Sequence, residues 1–140
     1  MIVYKLFNLR ANGTLGPLFI NRKQVIPVGE WLAAEDRPTK GYAQRPGWHA
    51  GMLPDAKHLT ERGRVWCACE VLGIEYRQAS HPEQFRKQGD MPSLPVAGWY
   101  RWKRPANQGG EWIIASHLRV LDILTPQQVD RINALAKDSV

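Results

Sequence analysis

The segment Arg64 to Val71 constrains the fold more than any other in this chain. Val65, Cys67, Cys69 and Val71 fall on one face of an extended backbone, and Trp66, Ala68 and Glu70 fall on the other. That alternation predicts an internal strand. Ile2 to Arg10 repeats it, with Val3, Phe7 and Leu9 on one face and Tyr4 and Leu6 on the other. Asn12-Gly13 then supplies a tight turn, and Leu15 to Ile20 reads as the returning strand of a hairpin. Because Gly16-Pro17 interrupts that strand, it either lies at an edge or starts late.

The middle of the chain is less regular. Val25-Ile26-Pro27 reads as a short strand, Glu30 to Glu35 as one or two helical turns, and Pro54 to Arg62 as a short helix stopped at Gly63. Trp48-His49-Ala50, between Pro46-Gly47 and Gly51, reads as a short strand presenting its histidine. Gly73 to Pro95 is polar and broken by prolines, which predicts a surface excursion with one helical turn near Glu83 to Lys87. Val96 to Arg104 is extended and aromatic, and Glu111 to Leu124 reads as one long strand or two strands broken at Ala115-Ser116-His117.

The C-terminus is the best signposted helix. Thr125 can cap it, Pro126 suits its first position, and Gln128 falls where a capping box places Glu or Gln. Val129, Ile132, Leu135 and Ala136 form its apolar stripe. The expectation is a single α+β domain over residues 1–140: a twisted, mostly antiparallel sheet of about six strands with a C-terminal helix and one or two short helices.

Composition narrows the setting. At 140 residues, 44% hydrophobic and 23% charged, the chain can bury one core and is not of the disordered class. No apolar run reaches the roughly 20 residues that span a bilayer, and the N-terminus lacks a basic region followed by an apolar stretch. These features predict a cytoplasmic protein without a membrane partner. Cys67 and Cys69 point the same way along one strand, so a disulfide between them would be strained, and they read as small buried apolar side chains in a reducing compartment. The four histidines, at 49, 58, 81 and 117, match no zinc spacing, and no metal is expected. Phosphate-binding glycine motifs and a nucleophile elbow are also absent from the sequence.

Nineteen Lys and Arg against thirteen Asp and Glu give a net charge of +6, which favours nucleic acid, acidic proteins or phosphate-bearing molecules as partners. Gly98-Trp99-Tyr100-Arg101-Trp102-Lys103-Arg104 interleaves rings that stack on bases with cations that hold phosphates. Trp99, Arg101, Trp102, Lys103 and Arg104 are therefore candidate nucleic-acid contacts, although an edge strand whose rings close the core would read the same way. Arg45, Arg62 and Arg64 could form an anion-binding cluster around the His49 segment.

The stretch Gly109-Gly110-Glu111-Trp112-Ile113-Ile114-Ala115-Ser116-His117-Leu118-Arg119-Val120-Leu121 opens an apolar strand with a carboxylate after a glycine pair. It resembles the last strand pair of the ADP-ribosyltransferase superfamily. The resemblance extends loosely to Trp48-His49-Ala50, Asp55-Ala56 and the Arg64 to Val71 strand. It implies NAD as cofactor, transfer of ADP-ribose to a macromolecular target, and Glu111 as the catalytic carboxylate stabilising oxocarbenium-like charge. It also implies His49 or Trp48 in the nicotinamide pocket, with Tyr4 and Arg64 as further cofactor contacts. The family's first strand offers a His-Gly or Arg-Gly pair where this chain reads Tyr4-Lys5-Leu6-Phe7, leaving Tyr4 or Arg10 to substitute.

The chain also resembles small phage and bacterial proteins carrying Pro-Gly-Trp-His-Ala and Glu-Trp-Ile-Ile-Ala stretches, a likeness that carries no activity with it. Three functions follow as expectations: an active or degenerate ADP-ribosyltransferase-like protein, a non-catalytic basic phage or mobile-element protein docking on nucleic acid or a host protein, and a small hydrolase or nuclease using His49 with Glu111.

Overall fold

A computed structural model describes residues 1–19, 21–35, 47–56, 59–75, 97–103 and 111–138, with the side chains of Trp102 and Lys103 excepted. The elements in chain order are β1 (Ile2–Leu9), β2 (Leu15–Gly16), β3 (Trp31–Ala33), β4 (Trp48–Gly51), β5 (Arg64–Val71), β6 (Ile74–Glu75), β7 (Gly98–Lys103), β8 (Glu111–Ala115), β9 (His117–Ile123) and one helix, α1 (Pro126–Asp138).

This corrects the expected fold class. The described residues form a mostly-β structure with nine strands in one sheet and a single helix, rather than α+β with about six strands and additional short helices. Glu30 to Glu35, expected to turn helically, instead supplies β3, because Trp31, Leu32 and Ala33 pair with Arg119, Leu118 and His117 of β9. Sheet pairing outweighs the local helix preference of Leu and Ala there. The described part of Pro54 to Arg62 is turn and coil. Val25-Ile26-Pro27 contributes only an isolated bridge, Ile26 to Leu15. Most of Gly73 to Pro95, including the turn expected near Glu83 to Lys87, lies outside the described residues.

The sheet order is β3-β9-β5-β1-β4-β8-β7-β6, with β2 alongside the end of β1. Neighbours are antiparallel except β6 with β7. β8 and β9 stand several places apart in this order yet are joined through Ser116 alone. The sheet therefore curls until the chain itself connects its two halves.

Ser116 is 2% exposed and fully engaged at that corner. Its N–H donates to the Gly98 carbonyl at 2.9 Å, its carbonyl accepts from Ala34 N–H at 2.7 Å, and its Oγ accepts from Gly98 N–H at 3.1 Å. The same Oγ lies 2.8 Å from His117 Nδ1. Strands from both halves are thereby fastened to one residue.

The curl encloses the main core. Val3 and Phe7 of β1, Cys67, Cys69 and Val71 of β5, Ala50 of β4, Trp99 of β7, Ile113 and Ala115 of β8, and Leu118 and Val120 of β9 form one buried cluster. The face of β1 and β5 turned away from it carries Leu6 and Trp66, which pack with Leu124 and with Val129 and Ile132 of α1. The alternation of β1 and β5 is thus explained: one set of side chains fills the curl and the other meets the helix.

The capping box at the start of α1 is formed. Thr125 N–H donates to Gln128 Oε1 at 2.8 Å and Gln128 N–H to Thr125 Oγ1 at 3.2 Å. Leu135, expected in the apolar stripe, is 62% exposed. No helix among the described residues is long and apolar enough to cross a membrane.

Candidate functional site

The register separates the two residues expected to act together. His49 pairs with Ile114 and its ring meets Trp112 edge-on at 5.8 Å, on the outer face where Tyr100, Ile114 and Trp112 cluster. Glu111 is in phase with Ile113 and Ala115, which face the enclosed core, so it belongs to the opposite face at the strand's exposed start. Its neighbour there is Arg101, whose Nη1 lies 3.8 Å from Glu111 Oε1 and whose Nε donates to Glu75 at 2.8 Å.

The cofactor positions also disperse. Trp48 packs against the enclosed core and its indole N–H donates to the Leu32 carbonyl at 2.9 Å. Tyr4 lies in the cluster beneath α1. Arg64 sits at the far end of β1, opposite Asn8.

Two rings of the aromatic and basic strand β7 lie inside the fold. Trp99 and Tyr100 are 6% and 1% exposed, which removes both rings from any surface. Arg101 is held by Glu75 and Glu111 and lies 5.6 Å from the Trp99 ring centroid. The backbones of Trp102 and Lys103 pair with Trp112 and Glu111. Arg104, Arg45, His58 and His81 lie outside the described residues. No group of three His, Cys, Asp or Glu gathers as a metal set among the described residues.

A different set of cations does converge, at the end of the sheet where β1 turns into β2. Asn12-Gly13 makes the turn: Gly13 has φ +86°, and Asn12 Oδ1 accepts from Thr14 N–H at 3.1 Å. Arg10 then reaches across Gly16, where an added Cβ would collide with its guanidinium. Its Nη2 donates to the carbonyls of Arg22 at 2.8 Å and Gln24 at 2.6 Å, which fixes the Arg22-Lys23 loop beside the hairpin. From the other side, Leu9 N–H donates to the Gly63 carbonyl at 3.0 Å and Arg64 pairs with Asn8, bringing in Arg62 and Arg64.

Residues 8–24 and 60–64 carry five cations, Arg10, Arg22, Lys23, Arg62 and Arg64, and one carboxylate, Glu61. Glu61 is already engaged, accepting from the Trp66 indole at 2.6 Å. Arg22, Lys23 and Arg62 make no side-chain ion pair with any described residue. Phe19 is 46% exposed, and the Arg64 guanidinium lies 5.6 Å from its ring centroid. The sequence grouped Arg62 and Arg64 with Arg45 around the His49 segment, whereas Arg64 pairs with Asn8 at the hairpin end; Arg10, Arg22, Lys23 and Phe19 carried no such signal, because only the hairpin geometry brings them beside residues 60–64.

A groove of about 470 Å³ lies between α1 and the chain after β4, lined by Leu53, Asp55, Asp130, Asn133 and Lys137. Its two carboxylates give it the wrong sign for a phosphate. Comparison with known proteins returns no matching family model, no matching curated protein and no matching solved structure.

Proposed function

We propose that this chain is a non-catalytic docking module that grips the phosphate backbone of a nucleic acid with the basic end of its sheet. The observation that supports this reading most is that the hairpin end of the sheet brings together two segments carrying five cations, Arg64 among them against the Phe19 ring, while the one carboxylate of those segments accepts from the Trp66 indole. Three of the five cations make no ion pair with a described residue that would have to break before they meet a phosphate. Arg10 and Arg64 are held by backbone carbonyls, so their charges are fixed in place without being neutralised.

Phosphate contacts position a protein without reading sequence, and a ring beside them adds stacking on unpaired bases. The expected ligand is therefore single-stranded nucleic acid bound with little sequence preference. Each neutralised phosphate of a single strand contributes about 0.7 to the slope of log affinity against log salt. Titration of a fluorescent oligonucleotide over a salt series tests this: a slope steeper than about −2 supports phosphate gripping. Affinity that ignores salt, or undetectable binding at low salt, removes nucleic acid as the partner.

A further inference from the structure

Among the described residues, Asn21 is the one non-glycine whose backbone is left-handed, at φ +54°. Asparagine tolerates that conformation better than most residues, and here it opens a tight turn over residues 21–24. Gln24 N–H closes the turn by donating to the Asn21 carbonyl at 2.9 Å, and Asn21 Nδ2 donates to Gln24 Oε1 at 3.4 Å. Arg22 and Lys23 stand between them, both exposed. Arg10 holds the turn from the hairpin side, its Nη2 donating to the carbonyls of Arg22 at 2.8 Å and Gln24 at 2.6 Å. That position depends on Gly16, where any Cβ would collide with the guanidinium.

The polar groups of the turn are thereby sorted by sign. Two carbonyls that would repel an anion are covered by a guanidinium, whereas the N–H groups of Arg22 and Lys23 donate to no described acceptor. Successive N–H groups in a turn beside a left-handed residue make an anion-binding concavity. Both residues add a cation of their own, and neither side chain makes an ion pair with a described residue.

We propose that the turn over residues 21–24 is a seat for a terminal phosphate monoester, so that the module recognises the phosphorylated end of a nucleic-acid strand; this rests on the docking reading above. A diester within a strand offers one negative charge and two free oxygens. A terminal monoester carries about −1.5 to −2 at pH 7 and presents three strong acceptor oxygens. Two cations without ion pairs, with two N–H donors between them, match the monoester better in both charge and acceptor number. Arg10 serves the seat as a positioning residue, since its hydrogen bonds go to the carbonyls of the turn and leave the N–H groups for the ligand.

Two measurements on the whole chain test this. In an NMR titration with inorganic phosphate at constant ionic strength, the backbone amide resonances of Arg22 and Lys23 are expected to move downfield and saturate; amides that stay in place overturn the seat. In fluorescence anisotropy, one single-stranded oligonucleotide is compared with a 5′-phosphate, with a 3′-phosphate and with hydroxyl ends. The wild type is expected to bind at least one phosphorylated form about fivefold tighter than the hydroxyl form. Gly16→Ala keeps every charge while displacing Arg10 from the turn, and it is expected to lose that preference. Equal binding of the three oligonucleotides by the wild type, or a preference that survives in Gly16→Ala, overturns strand-end recognition and leaves the docking reading standing. Failure of all three to bind overturns both.

Discussion

Lys5 occupies a position whose neighbours would accommodate an apolar side chain, and its ammonium is stabilised there only by one carbonyl and two ring faces. Replacing a buried, uncompensated charge by an apolar side chain of similar length removes a desolvation cost. Lys5→Met is therefore expected to raise the unfolding free energy by about 1–2 kcal/mol at pH 7, read by urea denaturation. The pH dependence identifies the cause. Lys5 falls from 10.5 unfolded to about 8 folded, so its penalty is full below pH 8 and is relieved as pH rises towards 10.5; stability rises through that window. Cys67 and Cys69 move oppositely, from 9 to about 12, so their contribution is present below pH 9 and is lost above it. Between pH 8 and 9 the Lys5 effect stands nearly alone, and the wild-type rise there should flatten in Lys5→Met. An unchanged profile in the variant would show that the amine is not desolvated. The sequence concealed this residue because a lysine within an alternating strand reads as solvent-facing; only the closure of the sheet turns its row inwards.

The elements divide by length into those that were legible and those that were not. β5, the two strands flanking Ser116, and the capped helix carry enough residues to display a period or an end signal, and the structure places each where it was expected. β2 was signalled by its Asn12-Gly13 turn, although only Leu15–Gly16 of the expected Leu15 to Ile20 strand pairs, whereas β3 and β6, with two or three residues, are too short for alternation to differ from chance. Ser116 is the element-scale device that the break at Ala115-Ser116-His117 signalled without explaining. Ser116→Ala leaves the Gly98 N–H without its side-chain acceptor in a buried corner. A loss of about 1–3 kcal/mol in urea denaturation is expected, against about 0.5–2 kcal/mol for Thr125→Ala at the helix cap. A Ser116→Ala protein as stable as wild type would mean that the corner does not depend on its hydroxyl.

For the whole molecule, curling the sheet decides which side chains remain for function. It draws Trp99 and Tyr100 of the aromatic strand into buried clusters, sets His49 and Glu111 on different faces, and gathers at the hairpin end cations that make no ion pair with a described residue. The interleaving of rings and cations had made Trp99, Arg101, Trp102, Lys103 and Arg104 candidate nucleic-acid contacts, with an edge strand closing the core as the other reading; Trp99 is buried and Arg101 is held by Glu75 and Glu111. The net charge of +6 was legible from composition, but its focus was not, since Arg10 and Arg22 meet Arg62 and Arg64 only through long-range pairing.

The most direct measurement compares the salt slope of oligonucleotide binding in the wild type, in the triple variant Arg22→Ala, Lys23→Ala, Arg62→Ala, and in Arg101→Ala. The expected result is a slope shallower by about 2 in the triple variant, with Arg101→Ala matching the wild type. A triple variant that keeps the full slope, or an Arg101→Ala protein that loses it, would contradict docking through the hairpin end.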